Sequence, residues 1–305
     1  MKDNLEEIKK IPLILEAKRL EITPEIKKRL GIWSKGAIAN SKKIFAYKII
    51  YKSKGKKIVG YIVEPREGKN LPCIIWNRGG SRDFGSIRIG ELFYDYGTIA
   101  SLAKRGYIVI ATQYPGVAGG DGTDKMGSDD DIASILDLYK ILKSYKRADT
   151  TKVGMDGFSR GGMMTYMCLA NVKWIKASVV GAAPSDEVSA TKFRKGWEQH
   201  QKKMYGGSIA EKKKRSAIYW VDKFSKKTPL LVMHGTADWR VKPENSMQMA
   251  QELYKNKIPF RLILFEGADH GLTEFREEYK RQVFDWFDRF LKKGERLPNL
   301  KPHGR

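Results

Sequence analysis

The spacing of apolar and polar residues changes along the chain and divides it into predicted elements. In residues 1–43 apolar side chains recur among charged ones in the manner of amphipathic helices, and Thr23 followed by Pro24 is a typical helix start. Residues 44–64 contain two runs rich in β-branched and aromatic residues on either side of the turn-forming segment 53–57. An N-terminal helical extension followed by a β-hairpin is therefore predicted.

Beyond the hairpin, short apolar runs alternate with helical patterns. Residues 73–76 and 107–113 are continuous apolar runs of the kind found in strands that are buried on both faces. Further strands are predicted at 152–158, 178–183, 230–235 and 261–267, with helices at 90–105, 131–145, 161–170, 243–256 and 273–293. This alternation predicts an α/β fold with a mostly parallel central sheet and helices on both faces.

The predicted domain organisation has one large α/β domain, residues 44–296, between the extension 1–43 and a tail at 297–305. Residues 184–228 interrupt the alternation with a polar stretch that carries aromatic side chains. Because structureless loops of this length are uncommon, we expect a helical insertion near the functional site. The extension either packs on the core or serves as a lid or dimer arm, and the second alternative allows a homo-oligomer.

Composition narrows the protein class. A chain of 305 residues with 41% hydrophobic residues can bury a large core, and no apolar run approaches the ~20 residues that span a bilayer. The N-terminal residues lack the uncharged run of a signal peptide. Cys73 and Cys168 lie in apolar patterns and are predicted to be buried thiols. A cytoplasmic protein without a membrane partner is therefore predicted.

The formal net charge of +23 raises the question of nucleic-acid binding. The lysines are scattered over the whole chain, however, and no zinc-finger, homeodomain or RNA-recognition signature accompanies them. A lysine-rich solvated surface with no specific nucleic-acid partner is the favoured interpretation. A non-catalytic basic binding protein on a degenerate enzyme fold is the alternative.

The chemical signal in the sequence is the segment Gly157-Phe158-Ser159-Arg160-Gly161, which fits the pattern G-x-S-x-G between a predicted strand and a predicted helix. A serine nucleophile in this pattern stands on a sharp, strained turn, where bulky neighbours would collide with the adjoining backbone. The pattern therefore predicts a serine hydrolase with Ser159 as its nucleophile.

A serine nucleophile needs a base, and the chain has four histidines. His303 lies in the tail, His200 lies in the insertion among charged residues, and His234 ends a buried strand, where a hydrogen-bonded structural histidine is expected. His270 follows the last predicted strand in a loop at its carboxyl end. His270 is therefore the predicted general base.

The acid that orients this base is expected after the preceding strand, where Asp238 lies. The resulting order of nucleophile, acid and histidine is that of the α/β-hydrolase fold. Two alternatives are Asp186, which follows the strand at 178–183, and Asp269, which adjoins His270.

An oxyanion hole is predicted from main-chain donors. The N–H of Arg160 directly follows the nucleophile at a helix N-terminus, where the helix dipole assists. A second donor is expected from the loop after strand 73–76, where Arg78 and Gly79 lie.

Substrate contacts are predicted in loops at the same edge of the sheet. The arginines there suggest a carboxylate-bearing substrate, and the alternative is that they are solvated or paired with Asp83 and Glu266. The candidate residues are Arg78, Arg82, Arg160 and Arg240, together with Tyr114.

Three segments resemble the catalytic domain of the prolyl oligopeptidase family in its dipeptidyl- and acylaminoacyl-peptidase branch. They are G-F-S-R-G-G-M-M-T, P-L-L-V-M-H-G-T-A-D-W-R-V and G-A-D-H-G, and the similarity extends over about residues 45–295. The resemblance implies that Ser159, Asp238 and His270 form the triad, with no metal or organic cofactor.

The sequence departs from the family pattern in two respects, and the first changes the expected activity. About 60 residues precede the first core strand, too few for the β-propeller that admits only short peptides in these enzymes. An esterase, acyl hydrolase or small-peptide peptidase acting on small esters or short peptides is therefore expected. The second departure is Arg78, which stands where the family commonly has tyrosine or histidine.

Overall fold

The computed structural model describes residues 3–95, 97–192 and 194–304, in two compact units, Met1–Val153 and Gly154–Arg305. The first unit contains the helices α1 (Leu5–Lys9), α2 (Pro24–Leu30), α3 (Ser34–Ser41), α4 (Ile99–Lys104) and α5 (Asp129–Lys143), and the strands β1 (Ile14–Leu20), β2 (Ile44–Ser53), β3 (Lys56–Pro65), β4 (Leu71–Asn77) and β5 (Ile108–Thr112). Strand β6 (Ala148–Phe158) leads into the second unit. That unit contains α6 (Arg160–Asn171), α7 (Trp197–Tyr205), α8 (Ile209–Lys214), α9 (Glu244–Lys255) and α10 (Arg276–Phe287), and the strands β7 (Ala177–Gly181), β8 (Leu230–Gly235) and β9 (Phe260–Phe265).

The strands of the first unit lie in the order β1-β2-β3-β5-β4. Only the β4–β5 pair is parallel. The predicted hairpin is confirmed as β2 and β3, which pair from Ile44 opposite Pro65 to Ser53 opposite Lys56. The two turn residues, Lys54 and Gly55, have φ values of 44° and 80°, as the tight turns of two-residue hairpins require.

Residues 14–20 correct one expectation. They were predicted as part of a helical extension, but they form the strand β1, which pairs antiparallel with β2. The segment contains Leu, Ala, Lys and Arg, which favour helices, so its strand conformation depends on pairing with a distant strand rather than on local preference. The hydrogen bonds with β1 satisfy main-chain N–H and C=O groups of β2 that would be unpaired if β2 were an edge strand. The rest of the extension forms α1, α2 and α3.

The second unit has a parallel sheet in the order β6-β7-β8-β9. Every residue of β7 and β8 is buried, as expected for strands covered on both faces. Helix α6 packs against β7, α9 against β8 and β9, and α10 against β7 and β8. The predicted α/β fold with a mostly parallel sheet is confirmed, and the carboxyl ends of these four strands meet at one edge.

The segment 184–228 contains α7, α8 and short 3-10 turns at Ala190–Lys192, Ala217–Tyr219 and Val221–Lys223. Its first residues are held against the start of α9, because the main-chain N–H groups of Ser185 and Asp186 both donate to Asn245 Oδ1. The predicted helix at 90–105 is much shorter than expected, because α4 begins only at Ile99.

The thiols of Cys73, in β4, and Cys168, in α6, are both free and fully buried. Burial raises the pKa of both thiols. Within the described ranges, none of the helices has the length and apolar character needed to cross a membrane.

Candidate active site

Ser159 occupies a strained turn between β6 and α6. Its φ of 56° and ψ of −127° lie in a region that non-glycine residues rarely adopt. The main-chain N–H of Ser159 donates to the carbonyl oxygen of Gly181 at 2.7 Å, and its own carbonyl oxygen accepts from Gly162 N at 2.9 Å. The neighbouring strand and the new helix therefore hold the turn from both sides.

The glycines around this serine are required by space. A Cβ atom at Gly157 would lie 2.2 Å from the carbonyl oxygen of Gly161, and one at Gly162 would lie 2.5 Å from the Cβ of Ala183. The first of these neighbours is backbone and cannot move away without deforming the turn. The first glycine of the pattern that predicts the nucleophile is thus required by the close approach of strand and helix.

His270 lies in the loop after β9, and its Nε2 is 2.9 Å from Ser159 Oγ. The ring of Phe158 packs edge-on against the imidazole with centroids 5.7 Å apart, and Tyr279 supports Phe158 from another side. The carboxylate of Asp269 accepts from Gly271 N and from Thr273, so the alternative acid beside His270 stabilises the loop instead.

Asp238 lies in the loop after β8, and its Oδ2 is 2.6 Å from His270 Nδ1. Its other oxygen accepts from the main-chain N–H groups of Arg240 and Val241. Burial alone would raise the pKa of Asp238, but the hydrogen bonds with His234 and His270 outweigh burial and hold it well below its usual range. The structure thus brings Ser159, His270 and Asp238 into one hydrogen-bonded chain.

The other residues considered as the acid or the base of the site make different contacts. Asp186 Oδ1 accepts from the N–H groups of Val188 and Ser189, as a turn-forming aspartate does. His200 stacks on Trp197 in the insertion, and His303 contacts a main-chain oxygen in the tail.

His234 is fully buried and hydrogen-bonded, as the sequence predicts, but one of its partners is Asp238. Its Nε2 lies 3.1 Å from Asp238 Oδ2 and 2.8 Å from the carbonyl oxygen of Val241, and its Nδ1 lies 2.6 Å from Ser246 Oγ. Sequence reasoning missed this contact. The spacing of four residues in H-G-T-A-D was the available signal, since a sharp turn after a strand can bring such residues together.

Arg78 lies in the first unit with its guanidinium fully buried. It donates to the carbonyl oxygens of Gln113, Gly79, Phe84 and Arg82, and it lies 3.5 Å from Asp124. Through these hydrogen bonds Arg78 stabilises the conformation of the loop that follows β4. Its side chain is occupied by this role, and the oxyanion roles of the Arg78 and Gly79 main chain stay predictions.

Tyr114 corrects a sequence-based expectation. It was expected to contact substrate, but it is fully buried, its hydroxyl donates to the carbonyl oxygen of Arg78 at 3.0 Å, and the Arg78 guanidinium lies over its ring. Tyr114 therefore supports the loop from inside and offers no surface to a ligand. The apolar run that precedes it gave no sign that the chain turns its ring inward.

The predicted substrate arginines differ in exposure. Arg82 and Arg240 are exposed, and neither forms an ion pair with another described residue, including Asp83 and Glu266. The guanidinium of Arg240 lies over the ring of Trp239 at 5.3 Å, whereas Arg160 is buried. Arg82 and Arg240 thus remain candidates for a substrate carboxylate, and the Arg160 side chain does not.

Arg194, in the insertion, was missed from the sequence. Its guanidinium lies over the ring of Trp197 at 4.0 Å. Burial, and after it the positive charge of Arg240, lower the pKa of Arg194, while Glu187 and Asp238 oppose the change. The insertion therefore brings a second cation into the electrostatic range of the Asp238 loop. The Arg-Lys-Gly-Trp segment was a weak signal, because charged and aromatic residues are common throughout the insertion.

Comparison with known proteins identifies the family. Residues 94–294, well over half of the chain, match the prolyl oligopeptidase family. The chain belongs to the prolyl oligopeptidase family. Its membership confirms the resemblance, the α/β-hydrolase fold and the class of serine hydrolase, and nothing in the comparisons supports a non-catalytic binding protein.

Members of the prolyl oligopeptidase family with similar sequences carry peptidase names. The chain is 26% identical over 252 residues to the uncharacterized peptidase YtmA of Bacillus subtilis, covering 81% of this chain and 94% of that protein. It is 23% identical over 263 residues to dipeptidyl-peptidase 5 of Porphyromonas endodontalis, of which it spans only 36%. The solved acylaminoacyl peptidase of Pyrococcus horikoshii superposes with a TM-score of 0.74 at 20% identity, covering 89% of this chain and 46% of that one.

Proposed function

We propose that this protein hydrolyses ester or amide bonds through an acyl-enzyme on Ser159, with His270 as general base and Asp238 as its orienting acid. The observation that carries the proposal is the continuous chain of hydrogen bonds, 2.9 Å from Ser159 Oγ to His270 Nε2 and 2.6 Å from His270 Nδ1 to Asp238 Oδ2. The first distance is within reach for proton transfer from the serine hydroxyl to the imidazole, and the second is that of a hydrogen bond between the imidazole and an ionised carboxylate.

The proposed reaction has two halves. Ser159 Oγ attacks the substrate carbonyl carbon while His270 Nε2 takes the hydroxyl proton, and the imidazolium then gives that proton to the leaving alcohol or amine. In the second half a water molecule attacks the acyl-enzyme and His270 again transfers the proton, which releases the acid and restores the serine. Asp238, ionised because of its lowered pKa, stabilises the imidazolium in both halves.

The oxyanion of each tetrahedral intermediate requires hydrogen-bond donors. Arg160 is the first residue of α6, so its main-chain N–H lies at the positive end of a 12-residue helix. We assign one donor to this N–H group. A second donor from the main chain of Gly79 stays a prediction from the sequence.

We propose short peptides and small acyl esters as substrates. The match covers 94% of YtmA, and the name of that protein as a peptidase supports short peptides as substrates. The guanidinium of Arg240 is exposed and forms no ion pair with another described residue, which supports substrates that carry a carboxylate, since arginine binds this group through two parallel hydrogen bonds. A substrate contact of Arg82 stays a prediction. A cytoplasmic location and a homo-oligomeric state stay predictions.

The test uses a panel of p-nitrophenyl esters and aminoacyl-p-nitroanilides. The variant Ser159→Ala is expected to lower kcat by about 10⁴- to 10⁶-fold on every substrate that the wild type cleaves. A fluorophosphonate probe is expected to label the wild type at Ser159 and to leave the variant unlabelled.

The exposed Ser144 supplies a matched control, and Ser144→Ala is expected to behave as the wild type. Retention of hydrolysis or labelling in Ser159→Ala would contradict the assignment of the nucleophile. A wild type that is neither labelled nor active on any substrate of the panel would contradict the proposed activity itself.

A further inference from the structure

Asp238 Oδ2 is shared by two imidazoles. His270 Nδ1 lies 2.6 Å from this oxygen and His234 Nε2 lies 3.1 Å from it, while Asp238 Oδ1 accepts from two main-chain N–H groups. The side chains of Asp238 and His234 are both fully buried. The acid of the proposed triad is therefore held by four donors, and only one of them is the general base.

The contacts of His234 define its protonation. Its Nε2 faces two acceptors, Asp238 Oδ2 and the carbonyl oxygen of Val241, so this nitrogen must carry a proton. Its Nδ1 faces Ser246 Oγ at 2.6 Å, and a hydroxyl can donate to it. An imidazole with its proton on Nε2 thus satisfies both ring nitrogens.

We propose that His234 is a positioning residue of the active site, which fixes the Asp238 carboxylate and shares its Oδ2 so that the carboxylate attracts the His270 proton less strongly. The proposal rests on the proposed function, because His270 matters here as the general base. His234 connects the acid to β8 through its own backbone and to α9 through Ser246, so two rigid elements determine where Oδ2 lies.

Two arginines and one carboxylate are charged groups near this arrangement. Arg240 follows Asp238 in the same loop, and Arg194 of the insertion is in electrostatic range of both. The carboxylate of Asp269, next to His270, is engaged by Gly271 and Thr273. On its remaining side His270 meets the uncharged ring of Phe158. Among these neighbours His234 is the one that donates a side-chain hydrogen bond to the oxygen used by His270.

Two amide variants separate positioning from packing. In His234→Gln the side-chain amide nitrogen falls near the place of the histidine Nε2 and can donate to Asp238. In His234→Asn it falls near the place of Nδ1, so it reaches Ser246 and stops short of Asp238. Both variants are polar and neither is larger than histidine, which makes each the control for the other.

The measurements are the pH profile of kcat/KM and kcat per active site, with sites counted by fluorophosphonate labelling. His234→Asn is expected to move the acid limb of kcat/KM to higher pH by about half a unit and to lower kcat by about tenfold. His234→Gln is expected to keep the limb in place with kcat within about threefold of the wild type.

A spectroscopic readout that needs no turnover completes the test. The low-field proton resonance of the hydrogen bond between His270 Nδ1 and Asp238 is expected to move in His234→Asn and to stay in place in His234→Gln. The positioning role would be overturned if the two variants had the same acid limb of kcat/KM and the same proton resonance. It would also be overturned if the fall in activity of His234→Asn equalled the fall in the number of sites that fluorophosphonate labels. An unlabelled, inactive wild type would refute the proposed function instead, while the resonance would still report on His234.

Discussion

Gly181 holds Ser159 in place through a 2.7 Å hydrogen bond from the serine N–H to the glycine carbonyl oxygen, although Ser159 has a φ of 56°. The same glycine leaves room for Phe158, because a Cβ at Gly181 would lie 2.6 Å from the Phe158 ring. Phe158 in turn packs against His270. One residue at the end of β7 therefore supports both Ser159 and His270.

The first prediction concerns this contact. Gly181→Ala is expected to displace the Phe158 ring and loosen His270, lowering kcat by about tenfold with a smaller effect on KM. Steady-state kinetics on a p-nitrophenyl ester measures the effect. Gly36→Ala is the control, since a Cβ there meets nothing within 4 Å and alanine favours the helix α3. Unchanged kcat in Gly181→Ala would show that the ring does not need this space.

The second prediction follows from the lowered pKa of Asp238. A carboxyl whose pKa is lower in the folded protein contributes stability above its unfolded value, here 3.8, and loses it as the pH falls through the folded value. The difference in unfolding free energy between the wild type and Asp238→Asn is therefore expected to be present at about pH 5 and to shrink in stronger acid. Urea unfolding at a series of pH values measures it.

The same substitution tests the acid in catalysis. Asp238→Asn is expected to lower kcat by about 10³- to 10⁴-fold. The imidazolium loses its stabilising charge, and His270 is no longer held in the tautomer whose Nε2 can accept the serine proton. A loss of less than tenfold would favour a different orienting acid.

Local patterns in the sequence predict the three residues that the structure joins by hydrogen bonds. The strand-serine-helix pattern and the loops that end β8 and β9 depend on short segments, so Ser159, Asp238 and His270 could be assigned from them. The partner of His234 could not be assigned, because it depends on how tightly the loop after β8 turns. Strand β1 was mistaken for helix for a related reason, since its conformation is determined by a partner strand about 30 residues away.

The burial of Tyr114 illustrates another limit. A tyrosine after a buried strand points either inward or toward the substrate side, and its φ of 67° is a backbone state that sequence patterns rarely reveal. The buried guanidinium of Arg78 was equally hidden, because its burial depends on three carbonyl oxygens of the loop after β4 and on a fourth from Gln113 after β5. Long-range polar contacts of this kind are invisible to periodicity.

The third prediction concerns the proposed substrate class. Arg240→Ala is expected to lower kcat/KM for an ester that carries a carboxylate by about tenfold, roughly 1.4 kcal/mol, and to leave a neutral ester of matched size unchanged. Arg281→Ala removes the same charge from the exposed side of α10 and is the control. An equal loss on both esters would contradict carboxylate recognition by Arg240.

The fourth prediction concerns the N-terminal elements. Deletion of residues 1–22 removes α1 and β1, exposes the edge of β2 and takes away the Asn4 amide that donates to the buried Glu64. We expect a loss of more than about 3 kcal/mol in unfolding free energy and a tendency to aggregate. Urea unfolding and light scattering measure these effects. Removal of residues 298–305, which are exposed wherever described, is expected to change neither.

The two buried thiols have a practical consequence for labelling. Cys73, in β4, and Cys168, in α6, are fully buried, and burial keeps their pKa high, so the native protein offers maleimide reagents no reactive thiolate at neutral pH. A single cysteine placed on the exposed face of the insertion, for instance by Lys203→Cys, would then take up one fluorophore without removal of the natural residues. Such a probe could report movements of α7 when an inhibitor occupies Ser159.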